Sequence, residues 1–272
     1  MNNALCVGLK IGDIPIRITT GDRQSLTFIK KAFKEYKTPA SRACFSIHVA
    51  CNELLTNVHN DADISVINDG TRILVISKYK HCKTVIGFID RAKKCAELTI
   101  HPKLLRSFFH PFLMFAYVVF TAHKGVLVLH GAGVIDRGRG YIFLGPSGSG
   151  KTTVARLLKR KGVTIVSDER IVLRREKGEI YLYGFPWYND KNYKAPLAAM
   201  FFLKQSKRVT FERVVFADAL QKLFSMFNFI ISDDAVAQAV LDNAACVCEN
   251  TPAYTMQFLK DSSFWKHIKK LE

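Results

Sequence analysis

Nine consecutive residues, Gly145-Pro146-Ser147-Gly148-Ser149-Gly150-Lys151-Thr152-Thr153, constrain this chain more than any other stretch. They satisfy GxxxxGK[ST], a pattern whose glycines let successive backbone N–H groups converge on one point at the start of a helix. The flanks suit it: Tyr141 to Leu144 read as a strand entering the loop, and Lys151 through Leu158 as a helix leaving it. A strand, loop and helix of this kind hold polyphosphate on the backbone amides and the helix N-terminus. Gly145, Ser147, Gly148, Ser149, Gly150, Lys151, Thr152 and Thr153 are therefore the expected nucleotide-binding residues, with a nucleoside triphosphate as the ligand. Lys151 would reach the β- and γ-phosphates, and Thr152 would place its hydroxyl on a bridging magnesium ion.

A chain of 272 residues, 49% apolar, can bury a sizeable core and is long enough for two modest domains. Its net charge of +17 favours acidic partners. The basic residues are dispersed, however, with short clusters only at Lys159-Arg160-Lys161 and at Lys204, Lys207 and Arg208. No aromatic-interleaved motif accompanies them, which argues against nucleic acid as a partner. The seven cysteines are odd in number and scattered, pointing to a reducing compartment and hence the cytoplasm. No secretory signal pattern opens the chain. The longest apolar run, Pro111 to Ala122, reads as a buried helix too short to span a bilayer, so no membrane partner is expected.

The amino-terminal part alternates in strand fashion at Ile14 to Ile18 and Phe45 to Val49, with helical spacing from Gln24 to Tyr36. Hairpins are expected around Asn68-Asp69-Gly70 and between Thr84–Ile89 and Ala96–Ile100. His48, His59 and His81 do not form a spaced ligand set. A connecting helix from Lys103 to about His123 leads into the second part, with the domain boundary near residue 122. Later hairpins, strands and helices follow to the carboxyl end; Gly184-Phe185-Pro186-Trp187 and the loop after it read first as a structural corner, with the border of a substrate or adenine pocket as the alternative.

Two further candidates follow from spacing. If Ile135 pairs with Tyr141 across the glycine-rich break Asp136 to Gly140, His130 falls opposite position 146, beside the glycine loop. A helix from Lys151 to Lys161 runs about 16 Å at ~1.5 Å per residue, and a strand from Val163 to Ser167 returns about the same distance at ~3.3 Å per residue. Asp168 and Glu169 should then return to the phosphate edge, able to hold magnesium or to accept the proton of an attacking hydroxyl. The catalytic set read this way is His130, Lys151, Asp168 and Glu169, and the metal set Thr152, Asp168 and Glu169. The assignment of base against metal ligand between Asp168 and Glu169 stays open.

His130-Gly131, the loop Gly145 to Thr153 and Ser167-Asp168-Glu169, in that order, resemble the HPr kinase/phosphorylase family. The likeness is strongest to small stand-alone HPr-kinase-like proteins, whose fold is shared with ATP-dependent phosphoenolpyruvate carboxykinase. It runs from the His130 strand through Pro186-Trp187 and, more loosely, through Ala195-Pro196-Leu197 to the end. The resemblance implies an α/β P-loop kinase domain with a mixed sheet over residues 123–272. An amino-terminal α+β domain with its connecting helix occupies residues 1–122. In that family the histidine lies near the metal and phosphates, and the acidic pair binds magnesium and serves as base, roles that fall on His130, Asp168 and Glu169. Two aspartates usually stand where this chain has Asp168-Glu169, and the family's glycine-rich Ile-Asn signature has no counterpart here.

The expected activity is ATP- and magnesium-dependent transfer of the γ-phosphoryl group to a hydroxyl, foremost a serine on a small protein or peptide. A small-molecule kinase for an amino acid or sugar is one alternative. A nucleotide-gated binding protein without transfer is another, and self-association into a homo-oligomer is compatible with all three. A closed polar pocket would favour a small molecule as acceptor, and an open basic groove a peptide.

Overall fold

The structure, a computed structural model, describes residues 5–40, 42–55, 63–79, 82–187, 191–227 and 233–271. His59, His81, Tyr188 and Asn189 lie outside the described residues. The chain is α/β with mixed sheets and divides into two compact units, Met1–Thr121 with Phe229–Ala237, and Ala122–Asn228 with Gln238–Glu272.

The first unit contains β1 (Leu5–Ile11), β2 (Ile14–Thr20), α1 (Arg23–Ala32), β3 (Lys37–Thr38), β4 (Phe45–Cys51), β5 (Asp63–Asn68), β6 (Arg72–Tyr79), β7 (Cys82–Asp90), β8 (Cys95–Ile100) and α2 (Leu105–Thr121). They form an eight-stranded sheet in the order β3-β1-β2-β4-β8-β7-β6-β5. Strict alternation drives it: Ile14, Ile16 and Ile18 of β2, Phe45, Ile47 and Val49 of β4, and Ala96, Leu98 and Ile100 of β8 are all buried. Both hairpins expected from the sequence are present, β5 with β6 and β7 with β8. Strand β1 was not singled out from the sequence; it closes onto β2 through Gly12 and Asp13, both at positive φ as a tight hairpin turn requires. Asp22 caps α1 by accepting the Ser25 N–H.

Helix α2, with its flanking 3-10 turns, makes a stretch of 23 residues, Pro102–Lys124, containing an 18-residue window of mean hydropathy 1.4. Its bounds agree with the connecting helix expected from Lys103 to about His123, and by length and composition alone it is long enough to cross a bilayer, longer than the apolar run Pro111 to Ala122 that lies within it. Before Pro111 it carries Arg106, Ser107 and His110. In this structure 61% of its apolar window is buried, and within the first unit the Tyr117 hydroxyl donates to Ile11 O at 3.0 Å.

The second unit begins with β9 (Val126–Asp136), β10 (Arg139–Leu144), α3 (Lys151–Lys159), β11 (Thr164–Ser167), β12 (Arg170–Glu176) and β13 (Glu179–Gly184). It continues with β14 (Lys194–Gln205), β15 (Thr210–Arg213), α4 (Phe216–Phe224), β16 (Ala253–Phe258) and α6 (Phe264–Ile268), while α5 (Asp234–Asn250) runs from the first unit into the second. Its sheet is ordered β10-β9-β12-β13-β14-β16-β15, with β11 beside β9 and β10 also pairing in parallel with β14. The buried side of α3, Val154 and Leu158, packs on Ala132, Val134 and Phe143 of the β9–β10 hairpin, which fixes where the helix starts.

That hairpin has a register one residue away from the expected one. Ile135 pairs with Gly140, not Tyr141, and Leu144 pairs with Gly131. The reason is a tighter turn: only Arg137 and Gly138 form it, both at positive φ (49° and 78°), the geometry of a two-residue hairpin loop. Extending the ladder sets His130 opposite Gly145, the first residue of the loop, and not opposite Pro146.

Candidate functional site

The glycine loop joins the end of β10 at Leu144 to Lys151, the first residue of α3. Gly150 precedes the helix at φ 108°, and a Cβ there would come within 2.6 Å of the Phe258 ring. Any other residue would therefore suffer both backbone strain and a clash. Gly148 also has positive φ, 79°, and the Ser149 N–H donates to Pro146 O at 3.1 Å, curling the loop tightly. Ser149 Oγ is buried and has no hydrogen-bond partner among the described residues. Leaving such a hydroxyl unpaired costs about 1–3 kcal/mol, which an anionic oxygen bound in the loop would recover. Ser147 is exposed on the loop and Thr153 half-buried in the first turn of α3.

Lys151 is 6% exposed, and its Nζ donates to Gly145 O at 2.8 Å and Pro146 O at 3.0 Å. Burial lowers the pKa of this ammonium, an effect opposed by the nearby Glu169 carboxylate. The lysine is thus held across the mouth of its own loop, bonded only to neutral carbonyls among the contacts described here.

Strand β9 carries two partners in tandem along one edge. Its first half pairs with β12, Arg170 opposite His130, and its second half with β11, Thr164 opposite Ile135. The ladder shifts register between Ile165 and Ser167, and Asp168-Glu169 falls in the gap. Ser167, 1% exposed, organises that gap: its Oγ accepts the N–H groups of Glu169 (3.2 Å) and Arg170 (3.1 Å). The Gly131 N–H in turn donates to Glu169 O at 3.2 Å.

The two acidic residues consequently face different neighbours. Asp168 lines a cleft of about 760 Å³ together with Thr152, Arg156 and Lys159 of α3, and with Lys191 and Tyr193. Glu169 turns to the histidine, its Oε2 standing 3.7 Å from His130 Nδ1. Arg170 Nη1 donates to the same Nδ1 and to Glu169 O at 3.2 Å, and its guanidinium lies 4.9 Å from the Trp187 ring centroid. Arginine has no acceptor, so Nδ1 must be the accepting nitrogen, and the imidazole is neutral with its hydrogen on Nε2. Burial first, then the Arg170 and Lys151 charges, push the His130 pKa down to about 4. The approach to Glu169 is therefore not an ion pair at neutral pH.

Arg170 is the residue that sequence reasoning missed. Its register partner is His130, but β12 and β9 are distant in the chain, and only knowledge of that pairing brings the two together. Gly184 is buried at the end of β13, and Phe185 is fully buried. Among the described residues no group of three or more His, Cys, Asp or Glu could hold a metal ion. Two oxygen donors share the cleft, the Thr152 hydroxyl and the Asp168 carboxylate, while the Glu169 carboxylate turns to His130. So small a set suits magnesium, which takes most of its ligands from phosphate and water.

A family model described as SynChlorMet cassette protein ScmC matches residues 110–272, well over half of the chain and the whole of this site. No curated protein sequence matches. Among solved structures, the Hpr(Ser) kinase/phosphatase from Coxiella burnetii aligns at 9% sequence identity with a TM-score of 0.31, over 53% of this chain and 91% of that one. A likeness that distant supports no conclusion about this site.

Proposed function

From the premise that the chain belongs to the ScmC family of SynChlorMet cassette proteins, we propose that it is an ATP- and magnesium-dependent kinase of the HPr-serine-kinase type, transferring the γ-phosphoryl group to a hydroxyl. The observation that carries the reading is the single cleft shared by Thr152, in the first turn after the glycine loop, and Asp168. A hydroxyl entering there would meet a carboxylate beside the phosphate-binding residues.

In this mechanism the loop N–H groups and Ser149 Oγ hold the phosphates. Lys151 exchanges its two carbonyl bonds for phosphate oxygens, a swap that costs little because the ammonium is already desolvated. Thr152 and Glu169 are the oxygen donors suited to magnesium, whose bound charge neutralises that of the triphosphate. His130, neutral at physiological pH, offers its Nε2 hydrogen to a γ-phosphoryl oxygen without drawing a proton from the acceptor. Asp168 accepts the acceptor's hydroxyl proton as the new oxygen–phosphorus bond forms. The bond from γ-phosphorus to the β,γ-bridging oxygen breaks, and its electron pair leaves on ADP. Arg170 holds the His130 ring in its tautomer and so acts as a positioning residue.

The test is transfer of label from γ-labelled ATP with magnesium into hydroxyl-bearing proteins, peptides, amino acids and sugars. Label in one acceptor class, lost in Lys151→Ala and in Asp168→Asn, supports the kinase. Nucleotide binding with label in none of them, and partner affinity that follows nucleotide, would replace it with a gated binding protein.

A further inference from the structure

The cleft beside Asp168 is bounded on one side by an unusual wall. Six consecutive residues, Val163 through Asp168, line it. Side chains of a strand alternate between faces, so a cleft lined by every residue in turn runs along the strand's main-chain edge. That edge belongs to β11, which among the described strands pairs only with β9. The opposite wall is one face of α3: Thr152, Arg156 and Lys159 stand at i, i+4 and i+7 and are all exposed. Lys191 adds a third cation to the rim.

We propose that this groove takes an extended, acidic peptide segment that adds as a strand to the free edge of β11 and presents a serine or threonine hydroxyl to Asp168. The proposal rests on the kinase reading for the fate of that hydroxyl, and on the groove alone for the docking. Main-chain pairing along β11 supplies affinity that does not depend on the peptide's side chains, while the cations select its charge. The geometry also sets a spacing. Helix α3 leaves the glycine loop while β11 returns to it, so Thr152 sits at the Asp168 end and Lys159 near Val163. Arg156 and Lys159 lie about 6 Å and about 10 Å along the helix from Thr152, at ~1.5 Å per residue. In an extended chain at ~3.3 Å per residue only alternate side chains share the hydroxyl's face, so the positions about two and four residues away are the ones that bring side chains to Arg156 and Lys159. Acidic side chains two and four residues from the acceptor hydroxyl, on one side of it, are the expected recognition pattern.

The experiment uses four fluorescein-labelled peptides built on a Val/Thr frame with a central serine. One has Glu two and four residues before the serine and one has them after it. A third carries Lys at those places, and a fourth is the better Glu peptide N-methylated at alternate main-chain nitrogens. Binding to the full-length protein is read by anisotropy, beside the affinity of a fluorescent ATP analogue measured separately. One Glu peptide should bind at least about tenfold more tightly than the Lys peptide, and N-methylation should abolish binding by removing the ladder donors. A protein carrying both Arg156→Glu and Lys159→Glu should reverse the charge preference. Equal binding of all four peptides, or binding of none, would overturn the groove whatever the nucleotide does. Selective peptide binding with no affinity for the ATP analogue would keep the groove and sink the kinase. If the double variant does not fold, the N-methylated peptide still decides the matter on the unaltered protein.

Discussion

The two units each carry an eight-stranded sheet, but they use their buried polar groups differently. In the first, such groups close on local partners. Asp233 receives Arg91 and caps the start of α5 through the Val236 N–H, and Asp90 accepts the Lys93 N–H. In the second, Lys151, Ser167 and the hydroxyl oxygen of Ser149 are buried around a loop and a gap in the β ladder, and that hydroxyl has no hydrogen-bond partner among the described residues. Continuous alternation produces a closed structural core. An interrupted ladder beside a glycine loop produces a place where chemistry can be held.

The sharpest way to break this comparison is to damage each unit and see whether the other's property moves. Leu98→Ala, in the fully buried middle of β8, should lower unfolding free energy by about 2–5 kcal/mol in a urea titration. Nucleotide affinity of the folded protein should stay the same. Asp168→Asn should do the reverse, cutting phosphoryl transfer about a hundredfold, or about 3 kcal/mol in the barrier, with the melting temperature little changed. A smaller effect sharpens the role given to Arg170. Arg170→Met removes the donor on Nδ1 and one of the charges that depress the His130 pKa, so the imidazole should titrate well above about 4, visible in its ring proton shifts by NMR.

The smallest effect is on acid stability. His130 in the folded chain titrates near 4, below its ordinary 6.5. Above that ordinary value both folded and unfolded states are neutral, and the group contributes no slope. Between there and 4 only the unfolded chain takes up the proton, so stability falls as pH falls through this window, and the loss is complete below it. His130→Asn should flatten that limb, measured by urea unfolding at several pH values between 7 and 4. An unchanged slope would mean that the histidine is not held neutral.

Much of the architecture is legible in the sequence because it depends on local rules. Alternating Ile, Phe and Val mark β2 and β4, Asn68-Asp69-Gly70 marks a hairpin, and the glycine pattern locates the loop between β10 and α3. The errors come where a turn or a distant pairing decides. Counting Asp136 to Gly140 as one break misplaced the β9–β10 register by a residue, because Arg137 adopts positive φ and leaves Arg139 and Gly140 free to pair. At the site, the return of Asp168 toward Thr152 follows from element lengths. The turning of Glu169 toward His130, and the whole role of Arg170, follow from the ladder between β12 and β9, which no local pattern encodes.

The central claim is that Lys151 and the loop around it hold nucleotide phosphates beside Asp168. Calorimetric titration of ATP into the protein, with and without magnesium, and into Lys151→Ala, tests it most directly. The account predicts one site per chain, tighter with magnesium, and a loss of at least about tenfold in affinity in the lysine variant. Equal affinity in the two proteins, or no binding to either, would contradict it.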